Sequence, residues 1–454
     1  MSFPAYPAYK SSGVEWLGEV PEHWTVIALK WLSPVFRGAS PRPIDDPIYF
    51  DDDGEFGWVR IADVTASPDG YLYETTQRLS ALGSSLSVKL EPGELFLSIA
   101  GSVGKPCITA VKACIHDGFV YFPWLSIDQR LLYRVFESGL CFGGLGKMGT
   151  QLNLNTDTVG GICIAVPPAA ELTRALAFLD HETARIDALI DEQQRLIELL
   201  KEKRQALISQ AVTKGLDPTV PMKDSGVEWL GEVPAHWEVC KLSFRYSVEL
   251  GKMLDEKKNI GANPLPYLRN QDVQWGVINI DSLPLIDIEP SEYERYTVRL
   301  GDLLVCEGGD VGRAAIWRYK DSIIGYQKAL HRLRPESPNR DTAEFFFYSL
   351  MAAKAQGVFD ESDTKATISH LPAEKFRQYR FAFPPIDDQQ EIASVLGGRL
   401  KRSSETISYA ENTIAILQER RSALISAAVT GKIDVRGWQP PASAPTPELA
   451  QEAV

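Results

Sequence analysis

Residues Glu171 to Asp217 contain no proline and carry a single long seam. Leu172, Leu176, Leu179, Thr183, Ile186, Ile190, Gln193, Ile197, Leu200, Arg204, Leu207 and Ala211 follow one another at alternating steps of four and three. That spacing predicts a helix with a coiled-coil seam, broken by polar residues at Thr183, Gln193 and Arg204. Lys214-Gly215 supplies a basic last turn and a glycine stop. About 45 residues rising 1.5 Å each would span roughly 65–70 Å, more than a small domain is wide. A helix of that length cannot bury its stripe on one compact core, so it requires a second helix.

The chain supplies one. Asp388 to Asp434 repeats the pattern at an offset of 217, with Leu396, Leu400, Ile407, Ala410, Ile414, Leu417, Arg421, Leu424 and Ala428 on the seam. Residues 204–217 return as 421–434, with Ala-Leu-Ile-Ser-x-Ala-Val-Thr kept in both. The two helices would pair with each other as a spacer, with pairing between two chains as the alternative. A second repeat, at an offset of 213, precedes each globular segment. Lys10-Ser-Ser-Gly-Val-Glu-Trp-Leu-Gly-Glu-Val-Pro-Glu-His-Trp24 returns as Lys223-Asp-Ser-Gly-Val-Glu-Trp-Leu-Gly-Glu-Val-Pro-Ala-His-Trp237. Its Trp, Leu and Val positions form a packing patch that we expect to dock on the helices. The first ten residues are expected to be a loose leader.

Between these markers the segments Thr25–Pro168 and Glu238–Pro385 show the same order of strand-like pieces, turns and a Pro-Pro exit. Trp58-Val-Arg-Ile-Ala-Asp-Val64 matches Tyr267-Leu-Arg-Asn-Gln-Asp-Val273, and Gly101-Ser-Val-Gly-Lys105 matches Gly309-Asp-Val-Gly-Arg313. The chain is a tandem duplication whose ends were kept and whose middles drifted, which suits a ligand with two different ends. The tail after Gly437 is rich in proline and alanine and is expected to be disordered.

Composition narrows the functional classes. The chain has 454 residues, 44% of them hydrophobic and 24% charged, which is ordinary globular composition. There is no run long and apolar enough for a membrane span and no secretory signal, and the six cysteines show no metal spacing, so reduced cytoplasmic thiols are expected. A net charge of −13 weighs against nucleic-acid binding by the chain as a whole. Local patches or a positively charged partner would have to answer that objection.

No catalytic constellation stands out. Gly101–Lys105 fails as a phosphate loop, because Ile99 stands where its first glycine belongs and Pro106 where its Ser or Thr belongs. We read it as a glycine turn between two strands. His23 and His236 sit in the docking repeat without a nucleophile. His116, His181, His331 and His370 are scattered, and the acids at 45–46 and 51–53 lack a calcium-loop spacing. The strongest nucleic-acid signal runs from Arg313 to Arg334, where six Lys or Arg stand against one Asp, interleaved with Trp317, Tyr319, Tyr326 and Gln327.

Taken together, the duplicated Gly-Val-Glu-Trp-Leu-Gly-Glu-Val-Pro-x-His-Trp motif, the Pro-Gly-Glu-Leu and Leu-Gly-Asp-Leu strands, the Val-Pro-Pro and Phe-Pro-Pro exits and the Ala-Leu-Ile-Ser-x-Ala-Val-Thr helix ends resemble the DNA specificity subunit of type I restriction–modification systems. The resemblance covers roughly residues 10–436. It implies an α+β architecture of two tandem α/β target-recognition domains, 1–168 and 218–385. Each is followed by a spacer helix, 169–217 and 386–436, and residues 437–454 form the tail. The helices would pair as an antiparallel coiled coil with pseudo-two-fold symmetry.

The implied function is recognition of a split double-stranded DNA target, with half-sites about one helical turn apart, roughly 34–36 Å. Two modification subunits would bring S-adenosylmethionine and methylate adenine, and restriction subunits would add ATP- and Mg-dependent translocation and cleavage. This chain itself would bind no cofactor and catalyse nothing. Candidate DNA contacts in the first domain are Arg60, Lys105, Lys147, Thr150, Gln151 and Asn153. In the second they are Arg269, Arg313, Tyr326, Gln327, Lys328, Lys365, Thr367 and His370. The rival from another class is a coiled-coil scaffold whose globular heads bind proteins.

Overall fold

The computed structural model describes residues 3–67, 69–145, 154–254, 261–320, 322–360 and 370–439. The chain divides into two compact units, residues 1–193 with 413–454 and residues 194–412. Both long helices form where the seam predicts them, α1 at Ala169–Lys214 and α2 at Ile386–Val429. The first stops at Gly215, whose backbone takes φ +75°, the left-handed conformation that ends helices.

In unit 1, strand β1 (Thr25–Ala28) pairs antiparallel with β2 (Cys163–Val166) and brings the globular segment's two ends to the start of α1. Between them lie a five-stranded and a four-stranded sheet. The first part of α1 buries Leu172, Leu176, Leu179, Ile186 and Ile190 in one cluster with Leu424, Ile425 and Ala428 of α2. Asp187 accepts from Arg421 at 2.8 Å, and Arg174 donates to the Arg436 carbonyl at 3.2 Å, so the two segments run in opposite directions. Thr183, a polar break in the seam, is buried and donates to the Leu179 carbonyl within its own helix at 2.7 Å.

Unit 2 repeats the plan. Strand β3 (Glu238–Lys241) pairs with β4 (Arg380–Phe383), next to the start of α2. The last turns of α1 (Ile208, Ala211, Val212) join Ile392, Leu396 and Leu400 of α2 around Trp237. Here a polar centre sits where unit 1 has the apolar Leu172: Gln389, the counterpart of Leu172, is fully buried. Its side chain accepts from Thr342 N at 2.9 Å and donates to the carbonyls of Pro384 and Arg340. Beside it, the buried pair Arg245–Asp341 is held by two hydrogen bonds, 2.7 and 2.8 Å.

The docking motif packs as the sequence predicts. In unit 1, Trp24 Nε1 and His23 Nε2 both meet the Glu171 carboxylate, each at 2.8 Å, in the first turn of α1. In unit 2, His236 Nε2 lies 3.0 Å from Asp388, the counterpart of Glu171. The leader expectation is corrected. Tyr6 is buried and donates its hydroxyl to Glu171, because the carboxylate would otherwise be desolvated with fewer donors.

Candidate nucleic-acid interface

Each unit builds the same turn at the end of a central strand. In unit 1, β5 (Leu95–Ser98) runs into Gly101–Lys105, with Ser98 N donating to the Lys105 carbonyl, Gly104 N to Ser98, and Ile99 N to Gly118. In unit 2, β6 (Leu303–Cys306) runs into Gly309–Arg313 with an identical set: Cys306 N to Arg313, Gly312 N to Cys306, and Glu307 N to Ala329. The loop is thus a glycine turn joining antiparallel strands in both units. Gly312 at φ +84° must remain glycine, since a Cβ there would lie 2.6 Å from the Phe359 ring.

The shared bonds fix which residues correspond. Ala39 N donates to the Ile115 carbonyl and Gly38 N to Phe119; Lys252 N donates to Tyr326 and Gly251 N to Leu330. Ile115 therefore matches Tyr326, His116 matches Gln327, and Asp117 matches Lys328. Tyr326 is fully buried like Ile115, and its hydroxyl donates to the Arg295 carbonyl at 2.8 Å. Its expected role in DNA contact is corrected: it is a core residue.

Much of the basic run is also internal. Arg332 donates to the carbonyls of Glu294, Arg295 and Thr297, and Arg334 holds Asp302 through two bonds of 2.7 Å. Trp317 is buried, leaving Arg318, Tyr319, Lys320 and Lys328 exposed. Burial inside a strand, with carbonyls and a carboxylate as partners, explains why these cations could be carried there.

Around the unit 2 turn, several predicted residues do converge. Arg313 donates to the Asn270 carbonyl at 3.0 Å, and the Asn270 side chain donates to Gly308 at 2.8 Å. Arg269 is locked on Asp272 by two guanidinium bonds, 2.8 and 2.9 Å. His370 lies 3.0 Å from Glu307, a residue the sequence reading missed because it directly follows an apolar strand. Burial raises the Glu307 carboxyl above its ordinary value, with His370 and Lys328 pulling it back. Gln327 is half-buried and Lys328 exposed beside this group.

The unit 1 rim differs in chemistry. Arg60 shares the backbone bond to Asp63 at 2.8 Å, but Asp63 is further engaged by Thr76 N and Thr76 Oγ1. Among the described residues the exposed Arg60 guanidinium enters no ion pair. Among the described residues Lys105 Nζ reaches the Thr65 carbonyl, at 3.4 Å. Ile99 stands where unit 2 has Glu307. Asp117 stands where it has Lys328, and is held by Ser40 at 2.9 Å and Arg42 at 3.1 Å. Burial lowers the His116 ring below its ordinary value, against the pull of Asp117, and its Nδ1 accepts from Gly118 N at 2.8 Å. Candidates Lys147, Thr150, Gln151, Asn153, Lys365 and Thr367 lie outside the described residues.

Residues 236–408 match the family described as the type I restriction modification DNA specificity domain. Over 450 residues the chain is 21% identical to the type I restriction enzyme EcoKI specificity subunit of Escherichia coli K12, covering 93% of this chain and 91% of that protein. It is 20% identical to the StySPI specificity subunit of Salmonella potsdam, covering 87% and 84%. Among solved structures, the fold resembles a chain of a type I R-M system at a TM-score of 0.70 and 15% identity, covering 91% of this chain and 99% of that one. It also resembles the HsdS subunit of Thermoanaerobacter tengcongensis at a TM-score of 0.55 and 15% identity, covering 91% and 98%.

Proposed function

We infer that this chain is a DNA specificity subunit of a type I restriction–modification system, and that its two units each read one half of a split target. The observation that carries this reading is the repeated turn: one hydrogen-bond frame presents Ile99 and Asp117 in unit 1 but Glu307 and Lys328 in unit 2. A protein that keeps the frame and varies the rim is suited to two different base sequences, since side chains at base edges specify while the frame only positions. Glu307 can accept from an exocyclic amino group, and Lys328 and Gln327 can address a purine edge.

In this reading the globular segments of 1–168 and 218–385 are target-recognition domains, and the two long helices pair antiparallel as a pseudo-symmetric spacer. The chain is non-catalytic. Modification subunits supply S-adenosylmethionine and adenine methylation, and restriction subunits supply ATP- and Mg-dependent cleavage. Those partners also answer the objection of net charge, because phosphate neutralisation need not come from this chain. Among the described residues no helix is long and apolar enough to cross a membrane, which accords with a cytoplasmic role. The scaffold reading is not favoured by the similarity to specificity subunits over most of the chain.

Single-molecule methylation mapping of host DNA, with and without the gene, tests the role. A bipartite adenine-methylated motif that vanishes on deletion is the expected result; a full set of motifs surviving deletion would overturn it.

A further inference from the structure

Unit 1 seats two segments on the floor made by the docking motif, and unit 2 seats one. In unit 1 the stretch after α2 and the stretch before the docking motif lie side by side. Asp434 N donates to the Pro4 carbonyl at 2.8 Å, and Tyr9 Oη donates to the Gly431 carbonyl at 3.2 Å. Tyr6 fills the space between them. Its ring meets Trp24 edge-on at 6.0 Å, the Arg436 guanidinium lies 5.1 Å above it, and its hydroxyl donates to Glu171. Burial, with the carboxylate alongside, pushes the hydroxyl far up, so it remains a donor.

In unit 2 a single connection, residues 215–222, has to serve as both stretches. At the offset of 217 it matches the residues after α2, with Asp217 for Asp434; at the offset of 213 it matches the leader, with Thr219 for Tyr6. It takes the first path: Thr219 N donates to Asp217 at 2.8 Å, as Arg436 N does to Asp434 at 3.0 Å. Thr219 is exposed, and its hydroxyl also turns to Asp217. Where Tyr6 sits in unit 1, unit 2 has a cavity of about 420 Å³, lined by Lys214, His236, Trp237, Asp388, Glu391 and Ile392. The Asp388 side chain is 40% exposed, against 7% for Glu171. Among the described residues the Asp217 backbone N–H makes no backbone bond, whereas its counterpart on Asp434 holds Pro4.

We propose that this cavity is the seat of a tyrosine side chain carried on an extended segment of a partner protein. The hydroxyl donates to Asp388, the ring lies on Trp237, and the Asp217 N–H takes a carbonyl of the segment. A phenol suits the site better than a plain phenyl ring, because covering Asp388 without a donor would bury an unsatisfied carboxylate. A protein segment suits it better than a free small molecule, because the backbone donor beside the cavity matches the one that holds an extended chain in unit 1.

The probe is the chain's own segment Ser2-Phe-Pro-Ala-Tyr-Pro7 as a peptide blocked at both ends, titrated calorimetrically into the full-length protein. One site per chain is expected. Asp388→Ala should weaken it at least tenfold, as should replacing the peptide's tyrosine with phenylalanine, which leaves the protein unaltered. No binding, or equal binding by the Asp388→Ala protein or by the phenylalanine peptide, would overturn the proposal. No DNA enters this assay, so its outcome is separate from that of the recognition role.

Discussion

At residues 98–105 and 306–313 the two units lay down the same backbone bonds, yet one turn carries a buried isoleucine and a tethered aspartate and the other a buried glutamate beside His370 and an exposed lysine. The contrast shows how the fold separates two tasks. Backbone amides, which are indifferent to side chain, hold the turn, while the side chains at 99 and 307 and at 117 and 328 differ in charge on that same ladder. Below the rim the units diverge in a second way. Unit 1 anchors α1 through Glu171 with Tyr6, His23 and Trp24, whereas unit 2 anchors α2 through the buried Gln389 and the Arg245–Asp341 pair.

Destroying one frame should have the largest effect. A Cβ on Gly251 would lie 2.2 Å from the Tyr326 carbonyl oxygen, and backbone cannot yield as a side chain can. Gly251→Ala should cost unit 2 about 3 kcal/mol, an overpacking penalty, and leave unit 1 folded. Hydrogen exchange resolved by unit checks this, and equal loss in both would deny their independence.

Next in size is the Glu171 anchor. Glu171→Ala leaves Trp24 Nε1 and Tyr6 Oη without their acceptor, an expected loss of about 2 kcal/mol confined to unit 1. The same contacts have a pH signature. Burial alone would raise the Glu171 carboxyl, but hydrogen bonds from Tyr6, His23 and Trp24 outweigh it and hold the group below its ordinary 4.5. A depressed carboxyl stabilises the fold above its unfolded value, and that stability fades as pH falls through the folded one. Thermal unfolding from pH 7 to pH 3 should therefore show a drop below about 4.5 that Glu171→Gln lacks.

Glu307→Ala should relax base preference in one half-site by on the order of 1.5 kcal/mol, the scale of a single base contact. Competition between half-site variants in the assembled methyltransferase measures it, and uniform weakening on all sequences would make Glu307 a structural residue only. Smallest is the arginine pair. Arg60→Ala should lower the salt slope of binding by about 1 if its free guanidinium meets a phosphate. Arg269→Ala should act mainly by taking the guanidinium from the buried Asp272, which keeps its bond from the residue 269 backbone N–H, so unit 2 should lose some stability with its base preference unchanged.

The long helices, the strands at both ends of each globular segment and the docking motif were legible because each rests on periodicity or repetition. Thr183 broke the seam's pattern without breaking the helix, since its hydroxyl is satisfied within its own turn. The rim was only partly legible. Charge counting drew attention to Arg332 and Arg334, which face internal carbonyls and a carboxylate, and passed over Glu307 and Asp117, whose importance lies in register across strands. Tyr6 was hidden for a related reason: nothing local marks a residue whose partner lies 165 positions away.

The most direct test of the central claim is methylation mapping of host DNA with Lys328→Glu in place of the wild-type chain. Lys328 is exposed, so the fold should survive the change. The account predicts an adenine-methylated motif that keeps one half and relaxes or alters the other. A motif that weakens in both halves alike, or that does not change at all, would contradict it.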